Sequence, residues 1–511
     1  MPGVLIVGAG PAGLTLARSL SRQRIPVRVF DSATHRDDRG LGIWNRAQAA
    51  LRSLGIWRLF DDPLLSLALP PAAYRSRDGA WLSRCSRTPT NARRVQTLRE
   101  SSLLRALEAE LPEGTVRRGA AAAVTHVVEE GGGVRLSLAD GTEVCGVALV
   151  AADGPASPVR AALWPAAEAH PLSTGFVSSG AILESLSPGA IIESSRAILD
   201  RGPPTEMVAE EEEEERYETP FEMPPFETLS AGRRFALVPL PDGAAFFFAT
   251  RPCGGEFASA ASATAGASAA AGASAAAGAS TAAGASAAAA VSATSSSTQA
   301  AASAAALSAL RAAYSGWHAP IPAVLHAAAC AEANASMRGV STPVRHERLL
   351  MAPPLTSWRT GGGEGGGVGG VGGRTVLLGD AAHALPINLA QGASMGIEGA
   401  FVLGETLGTA LRGRSLDAQA IRQAFAEYES LHRPRVEQCA RLTALTSFLA
   451  APASAASEGV RNGIRYVPEP INSAIFDICL EYSLGERPAS TRALWEETLE
   501  RQARFSGGGR A

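Results

Sequence analysis

Solid apolar blocks and spaced apolar residues follow one another along this chain, and the change of pattern marks its elements. VLIV (4–7) is an uninterrupted apolar block that runs straight into glycines. A short apolar run bounded by turn residues predicts a strand covered on both faces. Helical spacing follows over 14–20, and a second strand, VRVF (27–30), ends at Asp31. Strand, helix and strand in this order predict a βαβ unit and a parallel sheet. Two later blocks repeat the first: ALVA (148–151) leads to Asp153-Gly154, and TVLL (375–378) leads to Gly379-Asp380. After the former, Ser157 and Arg160 stand at helix-start spacing; after the latter, Ile397, Ala400, Leu403 and Leu407 continue a helix that opens near Gly392.

Elsewhere the period shortens. GRRFALVPLPDGAAFFFATRP (232–252) predicts two strands joined at Pro241-Asp242-Gly243. Strand alternation sends only some of Phe246, Phe247 and Phe248 to any one face. ALSALRAAYSGW (306–317) returns to helical spacing through Leu307, Leu310 and Tyr314. Three stretches carry no such pattern: six consecutive Glu at 210–215, an Ala/Ser/Gly/Thr tract from about 254 to 306, and a Gly-rich run at 361–373. The first and last predict solvated loops. The middle tract reads as a disordered insertion, with partial helix as the alternative, between a hairpin and a helix of one domain.

Composition narrows the chemistry. The 511 residues carry a net charge of -3, which gives no sign of a nucleic-acid surface. All 46 basic residues are Arg, so no Schiff base, P-loop lysine or lysine base is available. Six scattered cysteines without a CxxC pair predict free thiols, and the histidines lack metal-ligand spacing, so no metal is expected. No leader precedes the strand at Val4, and no apolar run approaches the roughly 20 residues of a bilayer span, which predicts a soluble, cytoplasmic protein. No nucleophile-elbow sequence is present.

The turn after the first strand is G-x-G-x-x-G. Gly8 suits the tight turn, Gly10 a close approach of backbone to a pyrophosphate, and Gly13 close packing of helix on strand. The phosphates then meet the N-terminus of the helix that the 14–20 stretch starts, which carries roughly half a positive charge. Asp31, about 20 residues on, is placed for ribose hydroxyls. A dinucleotide follows from this context; FAD or NAD does not. The GGGVGG at 365–370 repeats the spacing without a leading strand and is discounted.

Taken in order, GAGPAG, ADGPASPVR and GDAAHALP with AQGAS resemble the FAD-dependent aromatic hydroxylases, single-component flavoprotein monooxygenases of the salicylate hydroxylase-like and zeaxanthin epoxidase-like kind. GLGIWNRAQAALRSLGIW (40–57), the 232–252 hairpin and AFAEYESLHRPRVEQ (424–438) extend the likeness. The resemblance implies a Rossmann-like α/β FAD-binding domain of glutathione-reductase type, interleaved with an α+β substrate domain having an antiparallel sheet. On that basis residues 1–170 and 351–450 form the FAD-binding domain and 171–350 the substrate domain, with insertions at about 205–220 and 254–306. A helical tail, 451–511, follows.

By the same resemblance Gly8, Gly10, Pro11, Ala12 and Gly13 hold the ADP half of FAD together with Asp31. Asp153 and Gly154 are shared between FAD and NAD(P)H. Gly379, Asp380, Gly392, Ala393 and Ser394 hold the ribityl and pyrophosphate groups. Arg99 is the expected FAD contact before the RxxL helix, although Glu100 occupies the family's Arg spacing relative to Leu103. Ser394 stands where Asn is common, and Gly399 replaces a frequent Asp. Pro386 borders the flavin edge and His383 either meets substrate or packs behind the loop; Trp44 and Asn45 border the ring system or, for Trp44, fill core. Arg160 contacts NAD(P)H or only caps its helix.

The implied reaction is hydroxylation of a small aromatic or heteroaromatic substrate by FAD, NAD(P)H and O2 through a flavin hydroperoxide. Epoxidation of an isoprenoid alkene, a flavin dehydrogenase without oxygen insertion, and a non-catalytic FAD-binding protein are the alternatives. A flavin halogenase is disfavoured by the missing lysine.

Overall fold

The computed structural model describes residues 3–34, 38–68, 73–84, 95–130, 132–184, 226–253, 303–337, 344–361, 372–386, 389–411, 418–450, 455–468 and 471. The poly-Glu run, residues 254–302, most of the Gly-rich run and residues 472–511 lie outside these.

A five-stranded sheet has the order Thr375–Leu377, Ala148–Ala151, Val4–Val7, Val27–Asp31, Val116–Arg118. Each neighbouring pair is parallel. Its three leading strands are buried at every position, which is why they read as solid apolar blocks. The helix Pro11–Arg22 packs against Gly392–Leu411, which in turn carries the long helix Ala418–Ala450. A three-stranded meander supplies another layer: Val134, Leu136 and Leu138 alternate inward and join the same core as Leu5 and Leu149.

The second large sheet has seven strands, ordered Arg345–Met351, Leu172–Leu183, Ala245–Pro252, Arg233–Pro239, Phe226–Ser230, Ala73–Ser76, Trp81–Arg84. The expected hairpin is present, with a 3-10 turn at Pro241–Gly243. Alternation decides its faces. Phe235, Leu237, Phe247 and Ala249 form one core with Leu307, Leu310, Tyr314 and Val324 from the helices beside it. The Tyr314 hydroxyl donates to the Thr250 carbonyl at 2.6 Å, satisfying a polar group sealed in that core. Phe246 and Phe248 lie on the opposite face and are half-buried.

One feature departs from the expected division at residue 170. Ala73–Ser76 and Trp81–Arg84 belong to the seven-stranded sheet, the former running parallel to Phe226–Ser230. Pairing between segments so far apart is a property of the assembled sheet, not of local pattern. The tail begins with Ala455–Asn462 and Gly463–Tyr466, and Arg461 anchors it by donating to the Leu229 carbonyl at 3.3 Å. Among the described residues no helix is long and apolar enough to cross a membrane.

Candidate active site

Parallel register brings three distant turns to one edge. Val7 pairs with both Ala151 and Phe30, and Ala151 pairs with Leu377. The chain leaves each of these strands in the same direction, so Asp380, Asp153, the glycine turn and Asp31 stand side by side in that order. Four strands at about 4.8 Å spacing give a span of roughly 14 Å, suited to an extended dinucleotide.

The turns are locked together by backbone. Gly8 has φ of 105°, and a Cβ there would stand 2.1 Å from the Ala152 carbonyl oxygen; no other residue fits between the first and second turns. Gly379 has φ of 62° and lies over Ala12, with 3.2 Å between its virtual Cβ and that of Ala12. The third turn thus rests on the glycine-loop helix. The Asp31 carboxylate accepts the Ala9 amide at 2.7 Å and the Ala33 amide at 2.9 Å, tying the glycine loop to the second strand.

Arg160 is the strongest clasp. It is fully buried, and its guanidinium donates to the carbonyls of Ala381 at 2.6 Å, Pro155 at 2.6 Å and Ala169 at 3.2 Å. Its amide is capped by the Ser157 hydroxyl at 2.9 Å. Arg160 does not itself cap the helix, one of the two roles open in the sequence: Ser157 does, and the Arg160 side chain rivets the second turn to the third.

The edge is electrostatically prepared. Helix Pro11–Arg22 begins at Gly10 without a side-chain cap, so its first-turn amides have no intrahelical partner. Burial pushes Asp153 up to about 6, against the opposing effect of Ser157 and the Val159 amide. Its Oδ1 is buried without a hydrogen-bond partner among the described residues. Asp380 is exposed by surface area, yet burial by surrounding protein also raises its pKa. Both hold for a carboxyl at the floor of an open groove, where solvent reaches the group but protein fills most of the space around it.

Helix Gly392–Leu411 starts beside Asp380: a Cβ on Gly392 would lie 3.9 Å from its Oδ1. Ala393 follows at that helix start. Ser394 is buried; its hydroxyl accepts the Trp44 amide at 3.0 Å and donates to the Gly42 carbonyl at 3.2 Å. Trp44 is buried and bonds the Ala390 carbonyl through Nε1 at 3.2 Å. The strand Gly40–Trp44 is thereby fixed against the helix start, and a Cβ on Gly40 would meet Phe246 of the seven-stranded sheet at 2.9 Å. The Phe246–Phe248 face therefore adjoins the groove.

Pro386 lies half-buried just past the third turn. His383 is buried behind it, with ring centroids 5.3 Å from Trp358 and 5.7 Å from His432. Burial lowers its pKa to about 4, so the imidazole is neutral. His432 also explains Gly399, because a Cβ there would approach its Nε2 to 2.8 Å. Arg99 turns away from Asp380 to Glu184 at 2.5 Å and Asp38 at 3.5 Å. Glu100, at the family's Arg spacing, is buried and takes Arg39 at 2.5 Å. Neither Arg39 nor Trp358 was singled out by sequence. Arg39 sits immediately before a glycine-flanked strand, a signal that carries meaning only once its strand is placed.

These donors, the close-packed glycine turn and the unpartnered Asp153 oxygen fit FAD. A family model for the FAD binding domain matches residues 2–201 and 371–443, more than half of the chain. The aurachin C monooxygenase/isomerase of Stigmatella aurantiaca is 26% identical over 453 residues, covering 85% of each chain. A 3-amino-4-hydroxybenzoate 2-monooxygenase of Streptomyces platensis is 26% identical over 451 residues, covering 86% of each. In fold, the chain is similar to Klebsiella pneumoniae HpxO complexed with FAD and uric acid, at TM-score 0.61 and 19% identity, over 94% of this chain and 97% of that one. Three turns on one sheet edge, the matching FAD-binding model and monooxygenase relatives along most of the chain identify it as a member of the FAD-dependent aromatic hydroxylase family, an FAD monooxygenase.

Proposed function

We propose that this monooxygenase uses NADH or NADPH and O2 to hydroxylate a small aromatic or heteroaromatic substrate. The observation that carries the reading is the apolar face of Phe246 and Phe248 beside the groove of Asp380 and the glycine turn. Phe248 pairs across the sheet with Gly180, and Phe246 with Ile182 and Val238. Gly180 has no side chain to cover the Phe246 ring, which lies 3.5 Å from where its Cβ would stand. Phenyl groups on this face offer a flat ring stacking partners.

FAD bound along the edge would supply the oxygen-transfer chemistry. The chain's own residues would bind, orient and exclude water. Gly8, Gly10, Pro11, Ala12 and Gly13 hold the diphosphate through the first-turn amides. Asp31 fixes that loop and borders the adenosine ribose. Gly379, Asp380, Gly392 and Ala393 line the ribityl side, with Ser394 holding strand Gly40–Trp44 in place. Asp153 and Gly154 face the centre of the cofactor. Pro386 shapes the wall at the flavin edge, and neutral His383 supports that wall from behind. Division into an FAD-binding domain and a substrate domain follows the two large sheets.

The test is NAD(P)H oxidation by purified, flavin-loaded protein against a panel of phenols, aromatic acids and isoprenoid alkenes, with 18O2 labelling of the product. A flat aromatic substrate that stimulates oxidation and acquires one labelled oxygen is expected. Stimulation only by an alkene, or product without label, overturns the hydroxylase reading.

A further inference from the structure

The bend that opens helix Gly392–Leu411 is gripped from behind by the long helix Ala418–Ala450. Met395 donates its amide to the Gln391 carbonyl at 2.8 Å, so Gln391 holds the cap position of the helix. A polar side chain there ordinarily folds back onto the first-turn amides. The Gln391 Oε1 is turned the other way: it accepts Arg435 Nη2 at 3.2 Å and the Cys439 thiol at 3.3 Å. These two donors stand one turn apart on a single face of Ala418–Ala450. Gln391, Arg435 and Cys439 are all buried.

Arg435 also reaches into the helix itself. Its Nε lies 3.5 Å from Glu398 Oε2, about two turns past the cap, and neither side chain is more than 3% exposed. An ion pair sealed this deeply adds little net stability over apolar side chains of the same volume, so stability alone does not account for it. Ala390, just before the cap, has φ of 49°, a left-handed conformation that a residue with a side chain disfavours. It is held between two anchors. Trp44 Nε1 donates to its carbonyl at 3.2 Å, and the next residue, Gln391, is fixed by Arg435. The bend delivers the helix start to the groove, where a Cβ on Gly392 would lie 3.9 Å from Asp380 Oδ1. The amides of Gly392 and Ala393 have no intrahelical acceptor, and the Gln391 Oε1 that could cover them is engaged elsewhere.

We propose that Arg435 is a positioning residue for the cofactor. Anchored on Glu398, it draws the Gln391 side chain away from the helix start and holds the Ala390 bend. The amides of Gly392 and Ala393 are thereby left open to an acceptor group on the ribityl side of FAD, and Cys439 shares the grip. The inference rests on the FAD reading of the groove.

ADP separates positioning from general loosening, because it reaches only the glycine-turn end of the groove. FAD is titrated into apoprotein by flavin fluorescence quenching, ADP is added as its competitor, and the Tm of each apoprotein is recorded. Arg435→Met combined with Glu398→Met removes both charges and strands neither, so Tm should stay within about 4 °C of wild type. FAD affinity is expected to fall about tenfold, the scale of one lost hydrogen bond, with ADP affinity unchanged within about twofold. Gln391→Leu, which keeps the ion pair, is expected to give the same split. Adding it to the Met pair should cost less than about twofold more, because both changes act through one contact. Equal losses of FAD and ADP affinity mark a loosened fold and overturn the proposal. So does a Met pair that binds FAD within about twofold of wild type, or additive losses in the combined variant. Should the Met pair not fold, Gln391→Leu decides by the same comparison of FAD with ADP. Wild-type protein that binds no FAD would instead remove the FAD reading of the groove.

Discussion

The edge of the parallel sheet and the open face of the seven-stranded sheet meet at one groove but are built by opposite logic. At the edge, position is fixed by backbone: parallel register aligns the turns, Gly8 and Gly379 admit no larger neighbour, and Arg160 binds three carbonyls. On the open face, position is fixed by which way a side chain alternates. Phe247 is core while Phe246 and Phe248, one residue either side, adjoin the groove. A shared cofactor tolerates no variation in the first; a variable substrate requires it in the second.

The largest break in this contrast is expected from Gly8→Ala. The added methyl would stand 2.1 Å from a carbonyl oxygen, at a φ of 105° that L-residues disfavour. FAD affinity should fall by at least ~100-fold, read as loss of flavin from the purified protein. Retention of flavin would show the two turns free to separate.

Next comes the pair Phe247→Ala and Phe246→Ala. The first empties a core position and should cost about 3–5 kcal/mol in denaturant unfolding. The second should cost less than half of that while raising substrate KM by about tenfold. If both variants lose stability equally and KM is unmoved, the Phe246 face is not where substrate sits. Arg160→Met lies between edge and core. It strands buried carbonyls and should cost about 3 kcal/mol, with FAD affinity falling as the turns loosen, measured by unfolding and flavin titration together.

The smallest effect is in pH. His383 and His346 are lowered to about 4 from 6.5, so stability rises as pH climbs through that window. Asp153, raised to about 6 from 3.8, works the other way, losing stability as pH rises from about 4 to about 6. Asp153→Asn removes the opposing contribution. The apoprotein's gain in Tm from pH 4 to 6 should then steepen by on the order of 2 °C. An unchanged or shallower slope would mean that Asp153 does not titrate in this window.

Legibility in the sequence divides along the same line. The strand blocks at 4–7, 148–151 and 375–378, the Gly8 turn, the helix start near Ser157 and the helix through Leu307, Leu310 and Tyr314 were all readable, because each depends on residues close in the chain. The pairing of Ala73–Ser76 into the seven-stranded sheet was not, nor were the carbonyls that Arg160 binds. Arg99 and Glu100 make the case most sharply. Spacing marks both as candidates beside the groove, but whether a guanidinium turns toward Asp380 or toward Glu184 depends on carboxylates supplied by other segments.

The sequence by itself determined the elements and the three turns, because buried parallel strands, helix starts and left-handed glycines are local demands on backbone. Tertiary structure alone decided that the turns share an edge, that Phe246 and not Phe247 adjoins it, and that Arg99 pairs with Glu184 while Glu100 takes Arg39. Those outcomes are set by register and by charge partners hundreds of residues apart, and no local pattern encodes either.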